Sequence, residues 1–344
     1  MDKKDLIFKE EFLERYEGNP IIRPADYPGA EAIFNCAQTM YKDETILLCS
    51  VRPQGDERPY IQVARSKDGI NFKFDEKPLI KMSEVPFIKG LDWWVIDPRI
   101  TYFPEEDVYY IIRPGSSGVG TMAILGKTKD FKTYEDIEII AMPENRVPCL
   151  FPEKINGMYY RLDRPYTNAS APSNEAYHAN IWISESPDLI HWGRHRLVLK
   201  SWAHWNPIKI GPTPPIKTKD GWLEVIHGVS TGPEGQRYSL GAVLLDLNDP
   251  SKVIGKCNKF ILTPDADYEY RGQCPGVVFS CGAIADIEKD RLRLYYGAAD
   301  TSICLATGSL SKIIEECKDG IKAVYIKGDA EQNGIDNFKP FCSC

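Results

Sequence analysis

The chain has 344 residues, of which 43% are hydrophobic and 26% charged, with a formal net charge of −7. These proportions supply an ordinary globular core, and the acidic balance excludes a protein built to hold a nucleic-acid backbone, which needs excess Lys and Arg. No apolar run reaches the length of a membrane span, so neither nucleic acid nor membrane is an expected partner. The first residues, Met1-Asp2-Lys3-Lys4-Asp5, lack the apolar stretch of a signal peptide, and a cytoplasmic location is the expectation. The ten cysteines are scattered singly apart from Cys274/Cys281 and Cys342/Cys344, with no Cys-x-x-Cys pair. They are read as buried free thiols rather than as disulfides or a zinc site. In that location the sequon Asn168-Ala169-Ser170 carries no weight.

In chain order, residues 9–16 are expected to be helical. Five aromatic and branched runs then follow, each ending in a polar residue: 46–52 at Arg52, 108–113 at Arg113, 158–164 at Arg164, 222–227 at His227 and 292–300 at Asp300. Between them recurs a short polar turn, as Ser66-Lys67-Asp68-Gly69, Thr128-Lys129-Asp130, Ser186-Pro187-Asp188 and Leu247-Asn248-Asp249. Asp68, Asp130, Asp188 and Asp249 stand 62, 58 and 61 residues apart, and an aromatic (Phe72, Phe131, Trp192) follows three of these turns. Residues 309–317 look helical, but elsewhere 25 Pro and 26 Gly interrupt any long 3.6-residue period.

Repeats of about sixty residues, each holding about four short strands, have the size of a propeller blade. The sequence is therefore read as all-β: one five-bladed β-propeller over roughly residues 20–330, with short N- and C-terminal extensions, forming a single catalytic domain of residues 1–344. A pair of β-sandwiches is the competing architecture, but it leaves the polar strand ends unexplained. In a propeller the inner strands aim their ends at a central funnel, where Arg52, Arg164, His227 and Asp300 would converge.

The most informative segment is Trp93-Trp94-Val95-Ile96-Asp97-Pro98-Arg99. A carboxylate among tryptophans, aliphatics and a proline is in a poor place to ionise, which suits a proton donor to a leaving oxygen. Tryptophans also offer flat surfaces to sugar rings. The plainer reading is a turn aspartate before proline, with the tryptophans packed in the core. Cations recur in 144–154, in 160–165, in 209–217 and in 224–228. Arginine is a bidentate donor to phosphate oxygens, and Lys and His add point donors. Any one of them alone reads as a surface ion pair, whereas the set in an acidic protein reads as an anion site. The run Gly115-Ser116-Ser117-Gly118-Val119-Gly120 is not a phosphate loop, since no Gly-Lys-Ser/Thr follows it.

Several of these motifs together resemble glycoside hydrolase family 130, the β-mannoside phosphorylases and related β-mannosidases. Asp97-Pro98-Arg99, Leu150-Phe151-Pro152-Glu153-Lys154, Arg161-Leu162-Asp163-Arg164-Pro165, Lys209-Ile210-Gly211, 222–228 and Tyr238-Ser239-Leu240-Gly241-Ala242 stand in the family's order over nearly the whole chain. The resemblance implies a five-bladed propeller with Asp97 as the acid. It further implies phosphate held by Arg146, Arg164, Lys209 and His227, and sugar contacts from Asn35, Arg52, Tyr238 and Asp300. The implied reaction is inverting phosphorolysis of a β-mannoside oligosaccharide to α-mannose 1-phosphate, with the acid acting through a mannose hydroxyl. Inorganic phosphate is the co-substrate, and no other cofactor and no metal is implied. Family members often assemble, so a homo-oligomer is compatible with the resemblance.

Two positions depart from the family's pattern: Ile96, where Glu often precedes the acid, and the segment Asn35-Cys36-Ala37-Gln38. Both leave linkage and acceptor open. The competing functions are a β-mannosidase of the same family, with a carboxylate base for water, and a non-catalytic sugar-binding propeller.

Overall fold

The computed structural model describes residues 12–166, 179–233 and 235–326. Five antiparallel sheets are arranged as the blades of a β-propeller. Blade I is built from Ala30–Tyr41, Glu44–Pro53, Tyr60–Ser66 and Lys73–Phe74, and blade II from Arg99–Phe103, Val108–Ser117, Gly120–Thr128 and Glu135–Ala141. Blade III holds Cys149–Leu150, Tyr159–Asp163, Ile181–Ser186 and Gly193–Leu199. Blade IV holds Lys209–Gly211, Gly221–Gly232, Gly235–Leu245 and Val253–Lys256, with Ile216–Thr218 as an extra partner of its second strand.

Blade V is completed by both ends of the described chain. Val278–Phe279, Arg291–Ala298 and Ser302–Ser309 take their outer strand from Glu14–Arg15, where Glu14 pairs with Thr307 and Arg15 with Ala306. The expected helix over residues 9–16 is therefore corrected: its described end is a strand, because the free edge of Ser302–Ser309 offers a ladder of unpaired backbone groups. The junction is fixed by the fully buried Glu269, which accepts hydrogen bonds from Arg15 Nε at 2.9 Å, Arg15 Nη2 at 3.0 Å and Tyr296 OH at 2.8 Å. The helix expected over 309–317 exists and runs further, over Leu310–Ile326. Its Leu310, Ile313, Ile314 and Cys317 form one stripe on the core shared by blades IV and V. No described helix is long and apolar enough to cross a membrane.

The polar turn of the repeat joins the third and fourth strands, and its aspartate caps two backbone amides. Asp68 Oδ1 accepts from Ile70 and Asn71, Asp130 Oδ1 from Lys132 and Thr133, and Asp188 Oδ1 from Ile190 and His191. In blade IV the residue in this role is Asp246, which accepts from Asn248 and Asp249, so the expected Asp249 is three residues out of register. The five polar-ended strands are the second strands of their blades and not the innermost ones. Seven of the eight described cysteines are buried and all eight are free; Cys274 is exposed. Residues 168–170, 342 and 344 lie outside the described residues.

Candidate active site

The carboxylate side of the site is made by backbone that leaves regular strand geometry. Strand Ala30–Tyr41 shifts register between Phe34 and Ala37, which turns Asn35 to a φ of 38°. Asp97 has a φ of 52° and Asp300 a φ of 49°. Asn and Asp tolerate this left-handed region best among non-glycine residues, and such conformers concentrate at functional sites. Their side chains meet: Asn35 Nδ2 donates to Asp97 Oδ1 at 2.9 Å and to Asp300 Oδ1 at 3.1 Å. Room for this amide depends on Gly297, where a Cβ would lie 2.0 Å from Asn35 Oδ1.

Asp97 is held by its backbone as well. Its N–H donates to Ser50 Oγ at 2.9 Å, that hydroxyl donates to the Asn35 carbonyl at 3.0 Å, and Arg99 Nη1 donates to the Asp97 carbonyl at 2.6 Å. The flanking tryptophans do not wall the carboxyl in, contrary to the expectation from sequence. Trp93 and Trp94 lie on the surface, while Asp97 is buried against Asn35. Burial first, and then the neighbouring Asp97 charge, drive the Asp300 carboxyl up to about 6.

The opposite wall carries cations. Lys209 opens the innermost strand of blade IV, and two residues on Gly211 pairs with His227. A Cβ at Gly211 would lie 2.2 Å from His227 Cε1 and 2.9 Å from Arg164 Nη1, so only glycine leaves room for these two side chains. Arg164 Nη1 donates to His227 Nε2 at 2.8 Å. Because a guanidinium has no acceptor, this imidazole is neutral and carries its proton on Nδ1. Burial, then the charge of Arg164, hold His227 well below the ordinary histidine range. Asn145 ties the next cation in place: its Oδ1 accepts from the Arg164 N–H at 3.2 Å and its Nδ2 donates to Asp163 Oδ1 at 3.0 Å, fixing the turn that bears Arg146. Arg164 is lowered to about 10, first by burial and next by Arg146; Lys209 is lowered to about 8, by burial and then by Arg164 and Arg146. Among the described residues none of these three cations makes an ion pair with a carboxylate. Lys209 Nζ instead lies 4.8 Å from the centre of the Tyr238 ring, which stacks on His227 at 6.1 Å.

Asn35, Asp97, Arg146, Arg164, Lys209, His227, Tyr238 and Asp300 thus line one cavity of about 490 Å³. Arg52, the ninth residue expected there, is outside the lining. Strand Glu44–Pro53 runs past the cavity, so Ser50 is level with Asp97 and Arg52 reaches the rim, where its Nη1 donates to Gln273 Oε1 at 2.9 Å. The sequence reading missed Glu144, Tyr166, Gln236, Cys274 and Phe279, which also line the cavity. Glu144 and Tyr166 flank the cation motifs and were reachable from them. Cys274 and Phe279 sit in a segment that carries no motif. Chemically, the cavity offers unpaired cations to an anion on one side and two coupled carboxyls on the other.

Comparison with known proteins gives this arrangement a family. The family described as Glyco_hydro_130, beta-1,4-mannooligosaccharide phosphorylase, matches residues 13–319. The chain belongs to glycoside hydrolase family 130. Within this family it is similar to the beta-1,4-mannooligosaccharide phosphorylase of Ruminococcus albus, with 32% identity over 322 residues and 92% of each chain covered. It is 40% identical over 259 residues to the beta-1,2-mannobiose phosphorylase of Listeria innocua, covering 75% of this chain and 68% of that protein. The solved structure of beta-1,2-mannobiose phosphorylase from Listeria innocua in complex with beta-1,2-mannobiose superposes with a TM-score of 0.77 at 33% identity, over 89% of this chain and 99% of that one.

Proposed function

We propose that this family 130 chain is an inverting β-mannoside phosphorylase that transfers a terminal mannosyl group to inorganic phosphate, giving α-mannose 1-phosphate. The observation that carries the proposal is a set of three cations lining one cavity opposite Asp97 and Asp300, the buried Arg164, the half-buried Lys209 and the exposed Arg146, with no carboxylate partner among the described residues. A buried cation such as Arg164 is costly unless an anion joins it. Phosphate bound there accepts charge-assisted hydrogen bonds from the guanidiniums and the ammonium, and His227 adds a neutral imidazole at its edge. The phosphate is already anionic, so attack on the anomeric carbon needs no general base, unlike water in an inverting glycosidase. The mannosyl ring lies between this anion and the Asn35–Asp97–Asp300 group, with Tyr238 against its face. Asp97 delivers the proton that the leaving oxygen needs, relayed by a mannose hydroxyl, and Asp300 and Asn35 hold the ring hydroxyls. The relatives' names span β-1,2 and β-1,4 linkages, and the substrate class is accordingly the β-mannoside.

A hydrolytic reading has one specific support: Glu144 also lines the cavity, although its Oε1 already accepts the Thr121 N–H at 2.9 Å. The assignment of the acid is tested by comparing Asp97→Asn with Asp300→Asn. Loss of general-acid assistance lowers kcat by about 10²–10⁴-fold. That loss is expected for Asp97→Asn, whereas Asp300→Asn raises mainly the KM for the mannoside. The reverse pattern would move the acid to Asp300.

A further inference from the structure

Arg99 opens the innermost strand of blade II and is buried. Nη1 donates to the Asp97 carbonyl at 2.6 Å, while Nε and Nη2 are buried without a hydrogen-bond partner among the described residues. The guanidinium also leaves its own blade. Nη1 lies 3.3 Å from Cys281 Sγ, and the group stands 5.4 Å from the centre of the Phe279 ring. Phe279 ends the innermost strand of blade V, and Cys281 follows two residues on. Blade I packs between blades II and V, so a side chain that joins those two crosses the central channel. Arg99 therefore lies beneath the cavity, whose lining includes Asp97 and Phe279. The buried Arg113 and Arg161 are each paired with a carboxylate, Asp92 at 3.0 Å and Asp163 at 2.8 Å; Arg99 has no such partner among the described residues.

A buried cation without a paired carboxylate is costly unless an anion lies within reach of its field. Phe279 separates Arg99 from the cation wall, its ring 4.7 Å from that of His227. The charge is felt across that ring. Burial first, then Arg164 and then Arg99 hold His227 below the ordinary histidine range. Arg99 also helps to lower Arg164, behind burial and Arg146. We infer that Arg99 is a fourth cation of the phosphate site, acting through the buried floor without touching the ligand, and that it favours doubly charged over singly charged oxyanions. The inference rests on the cavity being a phosphate site. A remote charge is blind to the ligand's shape, but its attraction scales with the ligand's charge. A group that merely kept the fold would affect anions of either charge alike.

The test compares sulfate with methanesulfonate, tetrahedral oxyanions with two negative charges and one, and titrates inorganic phosphate alongside. Dissociation constants are read from the rise of melting temperature with anion concentration at constant ionic strength. Arg99→Gln removes the charge and keeps an amide donor for the Asp97 carbonyl, whereas Arg99→Lys keeps the charge. Sulfate should bind Arg99→Gln about 10-fold more weakly than wild type, and methanesulfonate about 3-fold, because half the ligand charge gives half the decade. Arg99→Lys should stay within about 3-fold of wild type for both anions. Equal weakening of the two anions in Arg99→Gln, or no weakening of either, overturns the inference and leaves the phosphate reading standing. Should Arg99→Gln fail to fold, Arg99→Lys decides: a wild-type preference for sulfate supports the inference, and loss of that preference overturns it. If neither sulfate nor phosphate raises the melting temperature of wild type, the phosphate reading itself falls and the inference falls with it.

Discussion

Lys209 sits beside Arg164 and Arg146 with no carboxylate among the described residues to answer it, and burial with those two charges brings its ammonium down to about 8. A phosphate site that depends on this cation loses it as the pH rises through that value. The KM for phosphate is therefore expected to climb above about pH 8 while the KM for the mannoside stays flat. Lys209→Arg, charged at every accessible pH, should abolish the climb, and a climb that persists in this variant would remove Lys209 from the phosphate site. Asp300 shifts the other way. Its folded value of about 6 exceeds the ordinary 3.8, so the folded state binds this proton more tightly than the unfolded chain. That stabilisation is complete below 3.8 and is lost as pH rises through about 6. Asp300→Asn keeps an acceptor for Asn35 and removes the buried charge, so at pH 7 it should raise the melting temperature while raising the KM for the mannoside. The gain should vanish near pH 4, and a lower melting temperature at pH 7 would contradict the account. At this scale the residue types of the motifs were legible. Their surroundings were not: the sequence put Asp97 among its neighbouring tryptophans, whereas positive φ at Asp97 turns its side chain inward and leaves the indoles outside.

At the scale of elements, the strand Lys209–Gly211 shows how a short motif serves two neighbours. Lys209 projects into the cavity, and Gly211 stands across the sheet from His227. Gly211→Ala would drive a methyl group to within 2.2 Å of His227 Cε1 and 2.9 Å of Arg164 Nη1. Overpacking of this kind typically costs about 1–3 kcal/mol. The expected result is a lowered melting temperature together with a KM for phosphate raised at least about tenfold, one decade per ~1.4 kcal/mol, and a mannoside KM changed much less. Equal changes in the two constants would show that Gly211 supports the fold without shaping the phosphate side. The repeat of strands was readable from aromatic and branched runs, but their rank within a blade was not. Innermost strands such as Cys149–Leu150 and Val278–Phe279 are two residues long, too short to leave a periodic signal. The same limit explains Asp246. Asp246-Leu247-Asn248-Asp249 offers two aspartates three residues apart, and only the hydrogen bonds identify the capping one.

For the whole molecule, five repeats of similar length sufficed to indicate a closed propeller, since each blade buries its faces only against neighbours. Ring closure was the hidden part. Glu14–Arg15 is two residues long, and it becomes a strand only because blade V presents a free edge and Glu269 waits for Arg15. Closure brings blade I, with Asn35, against blade V, with Asp300, and the loop before blade II places Asp97 beside both. Blades III and IV meet at the Arg164–His227 contact. The chemistry is thus assembled from all five blades, and its central claim is that phosphate replaces water as the nucleophile. The most direct measurement incubates the protein with β-1,2- and β-1,4-mannobiose, with and without inorganic phosphate, and follows products by proton and phosphorus NMR. The account predicts α-mannose 1-phosphate from at least one of the two, formed only when phosphate is present; free mannosyl hydrolysis product appearing at the same rate without phosphate would contradict it.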